Sequence, residues 1–283
     1  MLRAVMAATA AFALAAPLAV YAGAAHAADA QLASAVAGDQ RTAAHKARDA
    51  ARNPADTLTF WGLKPKQTVI ELSPGSGYWT EILAPYAKAT GGTYVATAAD
   101  LANPNLSEAA KKGRAAFEAR YADQAKFGKV NYVGFGPTAG ALGAPGSADM
   151  VITARNLHNW ATQPAFMDKV LKDVHAVLKP GGVLAVEEHR ADPKPEDPKF
   201  ATGYMSEATV IAAVEKAGFK LQAKSEVNAN PKDTKDHPFG VWTLPPVRRT
   251  APFGQPDNPS FDRAKYDAIG ESDRMTLRFV KVG

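Results

Sequence analysis

Cysteine is absent from this chain of 283 residues, and no part of it concentrates charge of one sign. The missing cysteine excludes a disulfide framework, a thiol nucleophile, and zinc or iron–sulfur sites built on thiolates. A base or ligand in any active site must therefore be His, a carboxylate, Tyr or Lys. The net charge of +5 at pH 7 is spread along the sequence, so nucleic acid is not an expected partner.

Long apolar runs are confined to the start of the chain. Arg3 is the only charged residue before Asp29, and the run from Val5 to Ala25 is rich in Ala, Leu and Val. An A-x-A pattern then ends at Ala27. These features predict a signal peptide over residues 1–27, cleaved near Ala27, and a periplasmic or secreted protein. An uncleaved membrane anchor is the alternative, and no later segment predicts a membrane span.

Beyond this segment, short β-branched runs alternate with helical patterns. Predicted strands cover residues 68–72, 93–98, 130–135, 149–154, 182–188, 219–227 and 276–282. Predicted helices cover residues 30–53, 57–61, 79–89, 107–126, 164–178 and 206–217. The alternation predicts an α/β fold with a doubly wound, mostly parallel sheet of seven strands. The last strand is expected to be antiparallel, because a loop rather than a helix precedes it.

Residues 28–283 are expected to form one domain, because no linker divides the series of strands. Its N-terminal helical segment covers residues 28–59. The Pro-rich loop over residues 228–273 has two open interpretations, a stiffened surface excursion or a lid over the carboxyl edge of the sheet. As a lid it could bring polar residues into a site: Asn228, Asn230, Asp233, Lys235 and His237.

A Gly-rich turn from Ser73 to Gly77 follows the first predicted strand and precedes a helix. In parallel sheets such a turn lets a ligand approach the backbone, next to the free N–H groups of a helix N-terminus. Glu71 lies at the tip of the strand, where a carboxylate can reach a ribose or an ammonium group. The spacing E-x-S-x-G-x-G differs from the dinucleotide pattern G-x-G-x-x-G.

Together with two later segments, this turn resembles the class I S-adenosylmethionine-dependent methyltransferases, a Rossmann-like family. The segment Asp149 to Trp160 is similar to the fourth strand and following loop of that family, and Leu178 to Glu187 is similar to its K-P-G-G turn and fifth strand. Three further segments resemble an exported, poorly characterised subgroup: Glu81–Tyr86, Asn228–His237 and Gly240–Pro246.

The resemblance implies S-adenosylmethionine as the cofactor and methyl transfer to an acceptor, expected to be a small molecule. It implies these cofactor-binding residues: Glu71, Ser73, Pro74, Gly75, Ser76, Gly77, Asp100, Arg155 and Asn156. The sequence does not indicate the acceptor or the oligomeric state.

The sequence departs from the family pattern in three places. Ser73 replaces the first Gly of the turn, Ala98 stands where the family has an acid on the second strand, and no acid or amide occurs over residues 135–138. An exported enzyme would also need S-adenosylmethionine from the cytosol. These points favour the alternative function, an exported ligand-binding or accessory protein on a methyltransferase fold.

The expected catalytic residues lie past the strand ends: His158, Asn156 and Tyr204. His158 is the first candidate for a general base, because it directly follows the fourth strand. No metal site is assigned, although Glu187, Glu188 and His189 with His158 or Asp100 contain suitable ligand types. A hydrolase based on Ser76 is a further hypothesis, weakened by the absence of G-x-S-x-G.

Overall fold

A computed structural model describes residues 29–193, 197 and 199–282 of the chain. The predicted signal peptide, residues 1–27, lies outside the described residues. Within the described part, no helix is both long and apolar enough to cross a membrane.

One mixed sheet of seven strands forms the centre of the protein, in the order β3-β2-β1-β4-β5-β7-β6. The strands are β1 Thr68–Leu72, β2 Thr93–Ala99, β3 Val130–Phe135, β4 Ala148–Ala154, β5 Leu178–His189, β6 Phe219–Ser225 and β7 Arg274–Lys281. Strands β1 to β5 pair in parallel, whereas β7 is antiparallel to both β5 and β6. The predicted α/β fold with an antiparallel last strand is confirmed.

Helices cover both faces of this sheet. They are α1 Ala30–Ala37, α2 Ala43–Lys46, α3 Asp49–Arg52, α4 Pro54–Trp61, α5 Thr80–Thr90, α6 Glu108–Arg120, α7 Gln124–Phe127, α8 Leu157–Ala161, α9 Pro164–Val177, α10 Glu207–Lys216 and α11 Ala264–Ile269. A short 3₁₀ helix covers Gly240–Thr243.

Two apolar clusters, one on each face, form the core. Ile70 and Leu72 of β1 join the cluster that contains the apolar residues of α9 and α10. Val69 precedes Ile70, so its side chain points to the opposite face of the sheet, where it joins the other cluster with residues of α1, α4 and α5. Burial on both faces explains why the strands have continuous apolar runs instead of alternating polarity.

Three predicted elements differ in the structure. The helix predicted over residues 30–53 is divided into α1, α2 and α3, with a first break at Gly38, whose backbone is extended. The helix predicted over residues 107–126 ends at Arg120 and is followed by α7. The loop over residues 228–273 contains the 3₁₀ helix and α11, which local periodicity did not reveal.

Strand order reverses between β1 and β4, since β2 follows β1 on one side and β4 lies on the other. Ligands bind to open α/β sheets in the crevice outside the carboxyl ends of the strands at such a reversal. Because β7 runs antiparallel to β5, Arg274 lies opposite His189 at the same edge. The C-terminal strand therefore begins beside this crevice.

Candidate functional site

Two cavities of about 240 and 330 Å³ lie at this edge of the sheet, and we name them the first and the second cavity. They share four wall residues: Ser73, Pro74, Gly75 and Asn156. The first cavity continues past β4 and β5 towards the segment 241–247. The second lies over β2 and β3, between Thr97 and Phe135.

The Gly-rich turn separates the two cavities and has the backbone of a ligand cradle. Ser73 has φ +47°, a left-handed conformation that glycine adopts at lower cost. Its N–H donates to Thr97 Oγ1 at 2.7 Å, which holds the turn on β2. A Cβ at Gly75 would meet no atom within 4 Å, whereas one at Gly77 would lie 1.8 Å from the Tyr121 hydroxyl oxygen. Gly75 thus faces open space, and Gly77 serves packing.

Arg155 and Asn156, which directly follow β4, form the wall of the first cavity between the ends of β1 and β5. Asn156 Nδ2 donates to the carbonyl oxygens of Leu72 and Ala154 at 3.3 and 3.1 Å, which joins the ends of β1 and β4. Arg155 has φ +61°, and its N–H donates to Glu187 O at 2.7 Å. A left-handed non-glycine residue is strained, and such residues concentrate at functional sites.

His158 faces the first cavity with its orientation set by a carboxylate. Its Nδ1 lies 2.9 Å from Glu188 Oε1, and both residues are buried. Glu188 Oε2 accepts from the N–H groups of Leu157 and His158 at 2.7 and 3.3 Å. Nε2 of His158 has no hydrogen bond to any described residue and is left for a ligand. This arrangement suits a general base whose tautomer is fixed by an acid.

His158, Glu188 and His189 also offer ligand atoms within 4.8 Å of one another. However, Glu188 Oε1 already accepts from the N–H of His189 as well as facing His158. Ser272 Oγ lies 2.6 Å from His189 Nδ1. Burial, with the cations around it, places the pKa of His189 well below its usual value, so this imidazole is neutral. A proton-transfer site fits these partners better than a metal site, because the carboxylate is fully engaged.

Glu71 is buried beneath the turn and does not extend to a ligand as expected. Thr80 Oγ1 donates to its Oε2 at 2.9 Å, and the Tyr94 hydroxyl donates to the same oxygen. Burial raises the pKa of Glu71 to about 7, although both hydroxyl groups lower it. Glu71 still contributes to the wall of the first cavity.

Four arginines surround two carboxylates behind the first cavity, and we call this group the arginine cluster: Arg48, Arg52, Arg155, Arg274, Glu187 and Glu271. Glu271 contacts all four guanidinium groups at 2.6 to 3.6 Å. Glu187 lies 3.1 Å from Arg274 and accepts no hydrogen bond from a described residue. Burial lowers the pKa of Arg155, although both carboxylates raise it.

Three expected site residues line neither cavity: Gly77, Asp100 and Tyr204. Tyr204 does not line either cavity, because its hydroxyl donates to the buried Asp233 at 2.9 Å. Burial, reinforced by that carboxylate, raises the pKa of Tyr204. Asp100 accepts from the N–H of Ala102 at 3.0 Å and caps the turn after β2. No Asp or Glu lines the second cavity among the described residues.

The polar residues of the long loop mostly hold the loop itself. Asn228 and Asn230 donate to partners on β7 and on the segment before it. Asp233 accepts from His237 at 2.7 Å, and Lys235 donates to Asp192 at 2.9 Å. Two parts of the loop reach the first cavity: apolar residues of the segment 241–247, and the polar residues Glu271 and Ser272. The ring centre of Trp242 lies 5.9 Å from that of His158.

Ser76 has partners that its local sequence did not reveal. Its Oγ lies 3.1 Å from His45 Nε2, and His45 Nδ1 lies 2.8 Å from Glu81 Oε2. Although burial raises the pKa of Glu81, the adjacent His45 imidazole and a hydrogen bond from the Thr42 N–H bring it below its usual value. Ser76 is exposed in the first cavity. The order hydroxyl, imidazole, carboxylate is the arrangement that activates serine nucleophiles.

Sequence reasoning missed Arg48, Trp242 and Glu271, which all line the first cavity. Arg48 belongs to a helical stretch without a motif, and Glu271 precedes β7 by only three positions. The pairing of β5 with β7 brings these distant segments together, and no local signal in the sequence reports it.

Comparison with known proteins supports a methyltransferase domain. Residues 70–186 match the family model described as a methyltransferase domain. This region includes the Gly-rich turn, His158 and β5 up to Val186. No curated protein matches the chain significantly.

Solved structures share the fold at low identity. A SAM-dependent methyltransferase from Aquifex aeolicus is 20% identical over 64% of this chain and 87% of its own, with a TM-score of 0.47. A Burkholderia thailandensis 1,6-didemethyltoxoflavin-N1-methyltransferase with bound S-adenosylhomocysteine is 15% identical over 85% of this chain and 79% of its own, with a TM-score of 0.44. The [4+2]-cyclase SpnF is 15% identical over 89% of this chain and 93% of its own, with a TM-score of 0.50. The likeness to SpnF is a likeness of fold, and a fold alone does not determine the reaction.

Proposed function

We propose that this methyltransferase domain uses S-adenosylmethionine to methylate a small molecule. The observation that carries the proposal is the shared wall of the two cavities, formed by a Gly-rich turn, with His158 facing the first cavity and held from behind by the buried Glu188. A cofactor and an acceptor can therefore meet across Gly75 and Asn156. The domain match supports both the activity and the cofactor.

The second cavity fits the nucleoside part of the cofactor. Gly75 leaves open space for close approach, and Thr97, Phe117 and Phe135 provide one hydroxyl and two aromatic rings. No Asp or Glu in the described part of the chain lines this cavity to bind ribose hydroxyls, so we assign the nucleoside to the backbone of the turn and to Asn156. When bound, the cofactor supplies an activated methyl group.

His158 is proposed as the general base. Its Nε2 accepts the proton that an acceptor hydroxyl or amine loses as its oxygen or nitrogen bonds to the methyl carbon. Glu188 fixes the imidazole and stabilises the charge it gains. Alignment supplies much of the rate in such a transfer, so the rigid turn and Asn156 contribute by positioning.

Isothermal titration of residues 28–283 with S-adenosylmethionine and S-adenosylhomocysteine tests this proposal. Binding is expected, and a lack of binding of both at millimolar concentration would remove the cofactor and the function. With an acceptor in hand, His158→Gln should lower the rate by roughly 10²- to 10⁴-fold while leaving cofactor affinity unchanged. If the chain binds the cofactor but Glu188→Gln and His158→Gln do not alter turnover, the base is a different residue.

A non-catalytic binding protein is the alternative on the same fold. The carboxylate-free wall of the second cavity supports it. Such a protein would retain a co-purifying small molecule, and it would form no S-adenosylhomocysteine when S-adenosylmethionine is supplied with extracts that contain acceptors. Formation of that product, lost in His158→Gln, favours the enzyme.

A serine hydrolase is the second candidate, favoured by the short contacts among Ser76, His45 and Glu81. Ser76 Oγ would attack an ester carbonyl and pass its proton to His45 Nε2, which returns it to the leaving alcohol. Water then releases the acid and regenerates the serine. Labelling of the native protein by a fluorophosphonate, absent in Ser76→Ala and His45→Gln, would support this activity. Absence of labelling in the wild type excludes it.

We also propose that the protein is exported. The basic start, apolar run and A-x-A pattern support this location. Expression of the full-length chain followed by mass spectrometry of the periplasmic fraction should yield a protein that begins at Ala28. A cytosolic product that retains Met1 or its neighbour Leu2 would contradict export.

A further inference from the structure

We infer, on the basis of the proposed function, that the acceptor is an organic anion. Its carboxylate would bind to Arg155 and Arg48 in the first cavity, and its body would lie against the apolar wall formed by residues 241–247. The charge, the hydrogen-bond donors and the shape of the cavity each contribute to this inference.

The arginine cluster carries excess positive charge. It contains four guanidinium groups and two carboxylates. The side chains of Arg48 and Arg155 are 16% and 20% exposed, and the other four are at most 7% exposed. Arginine is always protonated, so the excess cannot be removed by titration. Neighbouring Asp49 does not compensate it, because its carboxylate is paired with Arg41 at 2.6 Å. A carboxylate in the first cavity would reduce this excess.

Arg155 is the member with free donors. Its guanidinium makes no hydrogen bond to any described residue, and its nearest carboxylate oxygen, Glu271 Oε2, is 3.6 Å away. About one-fifth of the side chain is exposed, in the wall of the first cavity. The left-handed backbone at Arg155 fixes the direction in which this side chain leaves β4. A planar fork with unoccupied N–H groups matches a carboxylate.

Arg48 lines the same cavity and has a second set of unused donors. Its Nε donates to Glu271 Oε1 at 2.6 Å, while its Nη2 is buried without a partner. Behind it, Arg52 is fully buried with both Nη atoms unpartnered, and its guanidinium lies 4.4 Å from the ring centre of Tyr78. Buried donors without acceptors are costly, and an anionic ligand supplies acceptors.

The opposite wall is apolar. Trp242, Leu244 and Pro245 line the first cavity together with Val241, Pro246 and Val247. A ligand that satisfied only the arginines would leave this wall exposed to water. An acceptor with an aromatic or aliphatic body and one anionic group would cover both walls. His158 and Trp242 lie side by side, which places the proposed base beside the body of the acceptor.

The amino-acid carboxylate of the cofactor is the other source of such an anion. Arg155 and Arg48 line the first cavity but not the second, where we place the nucleoside. The turn itself offers backbone N–H groups for the cofactor. We therefore assign the arginines to the acceptor, and the test separates the two sources.

The test is isothermal titration of residues 28–283 that have been saturated with S-adenosylhomocysteine. The ligands are benzoate, cinnamate, octanoate and decanoate, and the affinity of each acid is compared with that of its uncharged primary amide. At least one acid is expected to bind tenfold or more tightly than its amide, because a hydrogen bond to a charged group stabilises a complex by enough to raise the affinity about tenfold. Arg155→Gln should remove this preference without changing the affinity for S-adenosylhomocysteine. Arg248→Gln, an exposed partner of Asp267, removes the same net charge and should change neither.

Three results would overturn the inference. The first is that no acid binds more tightly than its amide. The second is that the preference for the acid persists in both Arg155→Gln and Arg48→Gln. The third is that Arg155→Gln weakens the binding of S-adenosylhomocysteine but leaves the binding of the acids unchanged, which assigns Arg155 to the cofactor. If Arg155→Gln is unfolded by circular dichroism, Arg48→Gln decides the question. If the wild type does not bind S-adenosylhomocysteine, the proposed function is refuted. If it nevertheless binds an acid more tightly than the corresponding amide, the anion site is still supported.

Discussion

Ser73 and Gly75 show how single residues shape the turn. Ser73 stands where the methyltransferase pattern that this turn resembles has glycine, and its backbone is left-handed at φ +47°. Serine adopts this conformation at a higher cost than glycine, so the turn is strained at this position. Gly75 is left-handed at φ +58° and faces open space, so a side chain there would occupy the volume shared by the two cavities.

Gly75→Asn should weaken binding of S-adenosylhomocysteine about tenfold or more. Asn tolerates a left-handed backbone, so the loss would come from crowding of the ligand by the new side chain. Gly91→Asn is the matched control, since Gly91 is also left-handed, at φ +69°, with no atom within 4 Å of an added Cβ. Isothermal titration of both variants measures the effect. Equal affinities would show that no ligand approaches Gly75.

Glu71 should make stability depend on pH. Its pKa is raised from 4.5 to about 7, so between these values the folded state binds more protons than the unfolded state. Stability from this group is therefore present at low pH and falls as pH rises from about 4.5 to 7, by roughly 3 kcal/mol at most. Glu71→Gln removes this dependence and retains acceptors for Thr80 and Tyr94.

Urea unfolding at pH 5 and pH 7.5 checks the sign. The free energy of unfolding of Glu71→Gln relative to the wild type should be higher at pH 7.5 than at pH 5. Glu108→Gln, at an exposed surface pair with Lys111, should show no such change. An identical pH dependence in Glu71→Gln and the wild type would assign it to other groups.

At the level of elements, β5 distributes two adjacent carboxylates to different partners. Because side chains alternate along a strand, Glu187 faces the arginine cluster while Glu188 faces His158. The antiparallel pairing with β7 then places Arg274 opposite His189. One strand thus contributes to both the proposed anion site and the proposed base.

Glu271→Gln should destabilise the protein by about 3 kcal/mol or more. It removes the carboxylate that contacts Arg48 and Arg52, and a buried guanidinium is left uncompensated. Glu226→Gln is the control, because that carboxylate is 60% exposed in its pair with Arg190 and should contribute less than about 1 kcal/mol. Urea unfolding monitored by fluorescence measures both. A small effect of Glu271→Gln would mean that the cluster is open to water.

The strands could be predicted from the sequence because buried β-branched runs are a local signal. Residues 68–72 and 130–135 have the predicted bounds, and the remaining strands differ by a few residues. The Gly-rich turn and His158 were identified because they follow such runs. The division of residues 30–53 was missed, since composition favours helix throughout and the breaks depend on packing against α5.

The arginine cluster could not be predicted, for a different physical reason. Its members come from four regions, near residues 48–52, 155, 187 and 271–274, with no spacing that indicates a common site. The same holds for Ser76 and His45, which lie 31 residues apart on separate elements. Charged residues in a helical pattern usually indicate a solvated face, and only the tertiary structure shows that these are buried.

As a whole, the molecule should unfold as one unit. Leu32 of α1 is 1% exposed and belongs to the same apolar cluster as Val69 of β1. Removal of residues 28–53 would take away Arg48, Arg52 and this packing, so the shortened chain should not fold stably. Circular dichroism and tryptophan fluorescence should give coincident urea transitions for residues 28–283. A shortened chain with native-like unfolding would show that the segment is dispensable.

The contact between Arg52 and Glu271 joins positions 219 residues apart in the sequence. Contacts of such high sequence separation form late and slow folding, since a long loop must close first. A ribosome synthesises Arg48, Arg52 and Arg155 well before Glu271, the carboxylate that contacts all three. A nascent chain that ends before residue 271 would therefore contain these three arginines without that partner.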